Sequence, residues 1–148
     1  MSSATLLLLL ALGGVCHCFR CPTSWVQYGD SCYTYISQPL TWVDAASLCR
    51  ALGGYLTEIT SAAENNFVRN LIGRNSAWMG INDILRNGRW VLTSSGRPLP
   101  YANWARGEPN NHGGSETCGQ MFPNGRWNDH RMSHAIPSVC ERRTFRWF

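Results

Sequence analysis

Glu108-Pro109-Asn110-Asn111-His112-Gly113-Gly114-Ser115-Glu116, followed after ten residues by Trp127-Asn128-Asp129, is the stretch from which the rest of the chain is best read. Glu108, Asn110, Glu116, Asn128 and Asp129 put five carboxylate or amide side chains into one short segment. Oxygen donors alone suit a hard cation such as Ca²⁺ and disfavour zinc, which prefers nitrogen and sulfur. The Asn-His-Gly-Gly-Ser run between them reads as a loop, so its ligands can fold round an ion. Five side-chain oxygens and one backbone carbonyl make six donors, and Ca²⁺ takes roughly six to eight, which leaves room for about two from outside.

The remaining composition sets the frame. A chain of 148 residues has room for one domain with a real core. Leu6 to Leu12 is an apolar run followed by small residues, too short for the roughly 20 residues of a membrane-spanning helix. Residues 1–18 therefore read as a secretory signal peptide, cleaved within 14–18, although residues 2–5 carry no Lys or Arg. Seven cysteines behind such a segment imply an oxidising destination and a disulfide framework. The reading is a secreted, extracellular protein with no transmembrane span. A net charge of +4, with all thirteen basic residues arginines, is too modest and dispersed to point to nucleic acid.

Taken in order, Cys21 and Cys32 flank Gly29-Asp30, a turn signal between two aromatic, β-prone runs, and a hairpin closed by these two cysteines is expected. Thr41 precedes Trp42, Ala45, Leu48, Cys49 and Leu52 at helical spacing, with Gly53 as the stop. Ser61-Ala-Ala-Glu64 is a capping box that opens a second helix, whose Phe67, Val68, Leu71 and Ile72 form one stripe ended by Gly73. Strands are expected over 76–82, 89–93 beyond the Asn87-Gly88 turn, 117–122, 125–129 and 138–142. Trp78 and Trp90 are read as core. Between Ser94 and Arg126 the abundance of Gly, Pro, Asn and Ser predicts a long loop. Residues 144–148 form a short basic and aromatic tail, read as a fraying extension of the last strand.

The three groups Glu-Pro-Asn, Glu116 and Trp-Asn-Asp, in register, resemble the C-type lectin domain, here covering residues 21–143 in its long form; Ser76 to Asn82 is similar to that family's Trp-Ile-Gly-Leu strand. The resemblance implies an α+β fold with two helices flanking small antiparallel sheets and a long calcium-binding loop. It implies that Glu108, Asn110, Glu116, Asn128 and Asp129 are both Ca²⁺ ligands and sugar contacts, that His112 and His130 touch the sugar, and that a cis bond precedes Pro109. Ca²⁺ is the expected cofactor. Glu-Pro-Asn goes with sugars bearing equatorial vicinal hydroxyls, so the expected partners are mannose-type glycans, including microbial surface polysaccharide in innate immune recognition. The physical content is that each hydroxyl ligates the ion through oxygen, donates to a carboxylate and accepts from an amide.

The resemblance also pairs Cys49 with Cys140 and leaves Cys118 unpaired, because Met132 stands where the family has a second cysteine. Cys118 is expected to be a buried thiol beside that thioether, or else to bond outside the domain. For an auxiliary Ca²⁺ site, Asp83 and Glu116 match, whereas Asn87, Asn111 and Thr117 fall where acids are expected, so one strong site is anticipated. No nucleophile, base and orienting acid stand together, and no enzyme is read. The His130-x₃-His134 spacing is taken as solvated loop residues rather than a zinc pair. The rival reading is a structural, protein-binding or mineral-binding module of the same fold, which often loses these calcium ligands. No coiled coil specifies an oligomer.

Overall fold

The computed structural model describes residues 21–144; the proposed signal peptide with Cys16 and Cys18, and the tail beyond Thr144, lie outside the described residues. Strands β1 (Val26–Tyr28) and β2 (Ser31–Leu40) make the opening hairpin, and α1 (Trp42–Ala51), β3 (Tyr55–Leu56) and α2 (Ala62–Ile72) follow. Then come β4 (Ala77–Asn82), β5 (Val91–Leu92), β6 (Cys118–Met121), β7 (Trp127–His130) and β8 (Ile136–Arg143). The order β1-β2-β8-β4-β6-β7 joins them in one mixed sheet, with β3 on β8 and β5 on β4. The architecture is the expected one of two helices against sheets, but the sheets are continuous. A parallel bridge between Trp78 and Ser138 links what the sequence suggested as separate antiparallel pieces.

The helices start and stop where their local chemistry dictates. Thr41 caps α1 through the Asp44 N–H, and Ser61 caps α2 through the Glu64 N–H, at 3.2 Å in both cases. The reciprocal arm of the second box is shifted by one residue: Glu64 Oε2 accepts from the Thr60 N–H at 2.7 Å rather than from the cap residue itself. At the end of α1, Gly53 at φ 80° lets its N–H reach Arg50 O and the Gly54 N–H reach Cys49 O, both at 2.9 Å. These two bonds satisfy carbonyls that the helix would otherwise leave open. Leu52, expected on the apolar stripe, is the cap and is 39 % exposed.

Two clusters make the core. One gathers Tyr33, Ile59, Val68, Ile72, Met79, Ile81, Met121, Trp127 and Val139, the other Trp42, Cys49, Leu56, Trp78, Cys118 and Cys140. The buried indoles are not left with orphan donors, since Trp42 Nε1 reaches Met79 O and Trp78 Nε1 reaches Leu40 O, each at 2.9 Å. Trp78 is fully buried, and Trp90 packs partly buried on the first cluster. Gly80 is required in the middle of β4, because a Cβ there would run into the Leu56 carbonyl. Disulfides join Cys21 to Cys32 and Cys49 to Cys140. The second spans 91 residues and, in the chain-entropy view, contributes about 4 to 5 kcal/mol. Cys118 is a buried free thiol, and Met132 packs against its cluster.

The long segment between β5 and β6 is less loose than its composition suggests. Val91 bridges Pro98, and Trp104 bridges Trp127. The rings of Trp90 and Trp127 both lie edge-on to Trp104, with centroids 4.7 and 5.7 Å away. The base of the loop is thus tied to the sheet, and its free portion begins only after Ala105, whose N–H donates to Trp127 O.

Candidate functional site

Strand β7 carries the site. Its Trp127 is fully buried, and the indole N–H donates to Asn65 Oδ1 of α2 at 2.7 Å, while Asn65 Nδ2 reaches Gly125 O at 3.0 Å. That grip fixes β7 in the core and sets the next two residues at its edge. Asp129, fully buried, is reached by the loop: Oδ1 accepts from the Asn110 N–H at 3.1 Å and Oδ2 from the Asn111 N–H at 2.6 Å. Asn111 can make this contact because it sits at φ 47°, ψ 48°, a left-handed conformation that asparagine tolerates better than most side chains.

The other site residues converge on this anchor. The Glu108–Pro109 bond is cis, and Asn110 Nδ2 donates to Glu108 Oε1 at 3.0 Å. The His112 N–H donates to both Asn110 Oδ1 at 2.8 Å and Glu116 Oε2 at 3.0 Å, which draws Glu116 to the same turn, the short 3₁₀ segment His112–Gly114. The Glu116 N–H in turn donates to Asn111 Oδ1 at 3.2 Å. Hydrogen bonds therefore link Glu108, Asn110, Glu116 and Asp129 into one network. Asn128 neighbours it on β7, half-buried, with its amide donating to Gln120 Oε1 at 3.2 Å and no hydrogen bond to the other four. Asn111, which the sequence places only where an auxiliary-site acid is expected, holds the loop together through its backbone and side chain. An Asn before His-Gly-Gly was the available signal.

Electrostatically the site is strained by its own acids. Burial pushes the Glu108 carboxyl above the usual carboxylate range, and Asp129 beside it adds to the shift, with Glu116 contributing less. Glu108 Oε2 is buried and has no hydrogen-bond partner. An orphaned carboxylate oxygen next to two further acids is what a hard cation would satisfy, so the residues present fit Ca²⁺. Among the described residues no three His, Cys, Asp or Glu side chains form a metal cluster by themselves; this donor set mixes three carboxylates with two amides. Asp83 Oδ1 is likewise buried without a partner, while the nearby Asn87 and Asn111 amides bond to each other at 3.2 Å.

The two histidines differ. His112 is exposed on the turn, whereas His130 is half-buried on β7, its ring 5.6 Å from that of Trp78 and its Nδ1 3.7 Å from Glu116 Oε1. Burial, and then the adjacent His134, lower its pKa below the ordinary imidazole value. His134 is exposed to solvent, as expected, but it is not isolated: its Nδ1 lies 2.8 Å from His130 Nε2. A cavity of about 550 Å³ lies apart from all of this, lined by Tyr33, Tyr55, Glu58, Glu64, Glu141 and Arg143 among others but by none of the site residues. Its carboxylates are already engaged, Glu64 by Tyr33 and Thr60, Glu58 by Ser94, Glu141 by Ser31, Tyr55 and the Glu58 N–H.

Residues 38–142 match the model of the lectin C-type domain. The chain belongs to the C-type lectin family. Similarity to a perlucin-like protein of Mytilus galloprovincialis is 35% identity over 129 residues, covering 82% of each chain. To the low affinity immunoglobulin epsilon Fc receptor of Mus musculus it is 35% over 136 residues, covering 91% of this chain and 40% of the receptor. Among solved structures, the cow C-type carbohydrate-recognition domain of CD23, determined in the presence of a GlcNAc2Man3 oligosaccharide, superposes with a TM-score of 0.82 at 32% identity, over 87% of this chain and all of that one. A calcium-independent type II antifreeze protein also superposes, at 0.79 and 26% identity, over 85% of this chain and 96% of that one. C-type lectin domains are in general non-enzymatic, calcium-dependent carbohydrate binders, but the fold alone does not select the ligand.

Proposed function

We propose that this C-type lectin domain is a secreted, calcium-dependent protein that binds mannose-type sugars through equatorial vicinal hydroxyls, in innate recognition of microbial surfaces. The observation that carries the reading is the acid and amide of Glu108 and Asn110 held side by side at 3.0 Å, with Glu108 Oε2 unpartnered beside buried Asp129. Glu108, Asn110, Glu116, Asn128 and Asp129 would hold Ca²⁺. When bound, the ion supplies a positive point on which two sugar oxygens can sit. The chain's own residues do the rest. Glu108 and Glu116 accept the hydroxyl protons, Asn110 and Asn128 donate to the hydroxyl oxygens, and Asp129 clamps the loop that presents them. His112 and His130 border the sugar. An open site of this kind gives few contacts per sugar, so a single domain binds weakly and useful avidity needs several copies.

Retention on mannan-agarose in Ca²⁺, with release by a chelator, is the expected result. Passage through the column in Ca²⁺, with the protein folded, would favour the protein-binding or mineral-binding alternative. Among the described residues no helix is long and apolar enough to cross a membrane.

A further inference from the structure

His130 and His134 are brought together by a turn in which the His134 N–H donates to Arg131 O at 3.0 Å. Their ring centroids are 4.5 Å apart, edge to face, and His130 Nε2 meets His134 Nδ1 at 2.8 Å. On the opposite side of the His130 ring, Nδ1 faces Glu116 Oε1 at 3.7 Å. At that distance the carboxylate acts through its charge rather than a hydrogen bond, favouring the tautomer protonated at Nδ1 and the lone pair on the other nitrogen. His130 Nε2 is then a base aimed at a second imidazole, and the carboxylate behind it raises its strength as a ligand.

We propose that His130 and His134 form a binding site for a dication of borderline softness, Zn²⁺ being the type case, whose two nitrogen ligands lie outside the oxygen set that suits Ca²⁺ and share with it only Glu116, behind the His130 ring. The ligands are His130 Nε2 and His134 Nδ1, with Glu116 as the outer carboxylate and water in the remaining positions. Zn–N bonds of about 2.0 to 2.1 Å at a tetrahedral angle place the two nitrogens about 3.3 Å apart, so they must separate by roughly 0.5 Å. His134 is exposed and can pivot to allow this. The proton it now shares with His130 moves to its own Nε2 through solvent, so binding consumes and releases no proton from the pair. Among the described residues no third His, Cys, Asp or Glu joins to make a cluster, so the site is open and of modest affinity. Calcium prefers oxygen and does not compete for two imidazoles.

The test is a calorimetric titration of ZnCl₂ into untagged, Ca²⁺-saturated protein, repeated for His134→Gln and His112→Gln. One Zn²⁺ per chain is expected for the unaltered protein and for His112→Gln. His134→Gln should bind at least about tenfold more weakly, a loss already typical of outer-shell partners and a minimum for a ligand. Its melting temperature in Ca²⁺ should equal that of the parent, which separates loss of the site from loss of the fold. Absence of Zn²⁺ binding by the parent, equal binding by His134→Gln, or an equal loss in His112→Gln would each overturn the proposal, and none of these outcomes bears on sugar binding.

Discussion

Asp129 Oδ2 accepts the backbone N–H of Asn111 at 2.6 Å, and through this bond a buried strand residue dictates the shape of an exposed loop. The adjacent bond, from the Asn110 N–H to Oδ1 at 3.1 Å, uses the second oxygen. Asp129 therefore has a structural duty before any ion arrives.

Asp129→Asn keeps the shape but turns one oxygen into an NH₂ group facing an N–H donor. Loss of one such bond with a buried group left unpaired costs about 1 to 3 kcal/mol. Denaturation in EDTA should show that loss, and addition of Ca²⁺ should raise the melting temperature of the parent but not of the variant. An equal calcium-induced shift in both would remove Asp129 from the ligand set.

The proposed function makes the pair across Pro109 the selector of the sugar. In Glu108→Gln combined with Asn110→Asp the acceptor and donor exchange places, so mannose hydroxyls meet the wrong partners. Mannose binding should fall about tenfold or more, on the order of 1 to 3 kcal/mol for mismatched hydrogen bonds, and galactosides should gain relative to it. Calcium should still bind. A glycan array on which the double variant keeps the parent's order of preference would refute the assignment.

Helix ends were readable in the sequence because their causes are local: Thr41, Ser61 and Gly53 act within four residues of themselves. The β3 strand, Tyr55–Leu56, was not, since a two-residue strand exists only because β8 lies beside it. The same division runs through the site. Oxygen donor types announced a hard-cation site, but the network that assembles them depends on β7 lying beneath the loop, a long-range fact. The spacing of His130 and His134 is visible in the sequence, but no Cys-x-x-Cys or Glu-bearing helix accompanies it, and what brings the two rings together is a turn closed by the His134 N–H on Arg131 O. Loop order between 94 and 105 was hidden for a related reason: it comes from Trp104 meeting Trp90 and Trp127, not from local propensity.

Cys118 gives a clean readout of global opening. Burial pushes its thiol up to about 12, so almost no thiolate exists at pH 8 and none of the side chain is exposed. In a chain beginning at Phe19, a disulfide reagent such as DTNB should titrate one thiol per chain after denaturation without reductant. In the native state the reaction should proceed only as fast as the protein unfolds. Rapid native reaction, or no thiol after denaturation, would contradict the buried-thiol assignment.

The acids lining the cavity predict an unusual pH response. Burial raises the pKa of Glu58 and of Glu141 above the ordinary glutamate value, despite the hydrogen bonds that Ser94, Ser31 and the Glu58 N–H offer to the charged forms. With the folded pKa above the unfolded one, the native state holds the extra proton, so stability is greatest below the unfolded value and falls as pH rises through the raised one. At neutral pH both groups are a liability that the rest of the core offsets. Glu141→Gln removes one of them without stranding a partner: its carbonyl oxygen can still accept the Glu58 N–H, and its NH₂ can donate to the hydroxyls of Ser31 and Tyr55, which are free to turn. Urea unfolding in EDTA should therefore show the parent losing stability relative to Glu141→Gln as pH rises above the ordinary glutamate value, with the variant's profile the flatter. A parent that gains stability over that range relative to the variant would mean that the hydrogen bonds to Glu141 outweigh its burial.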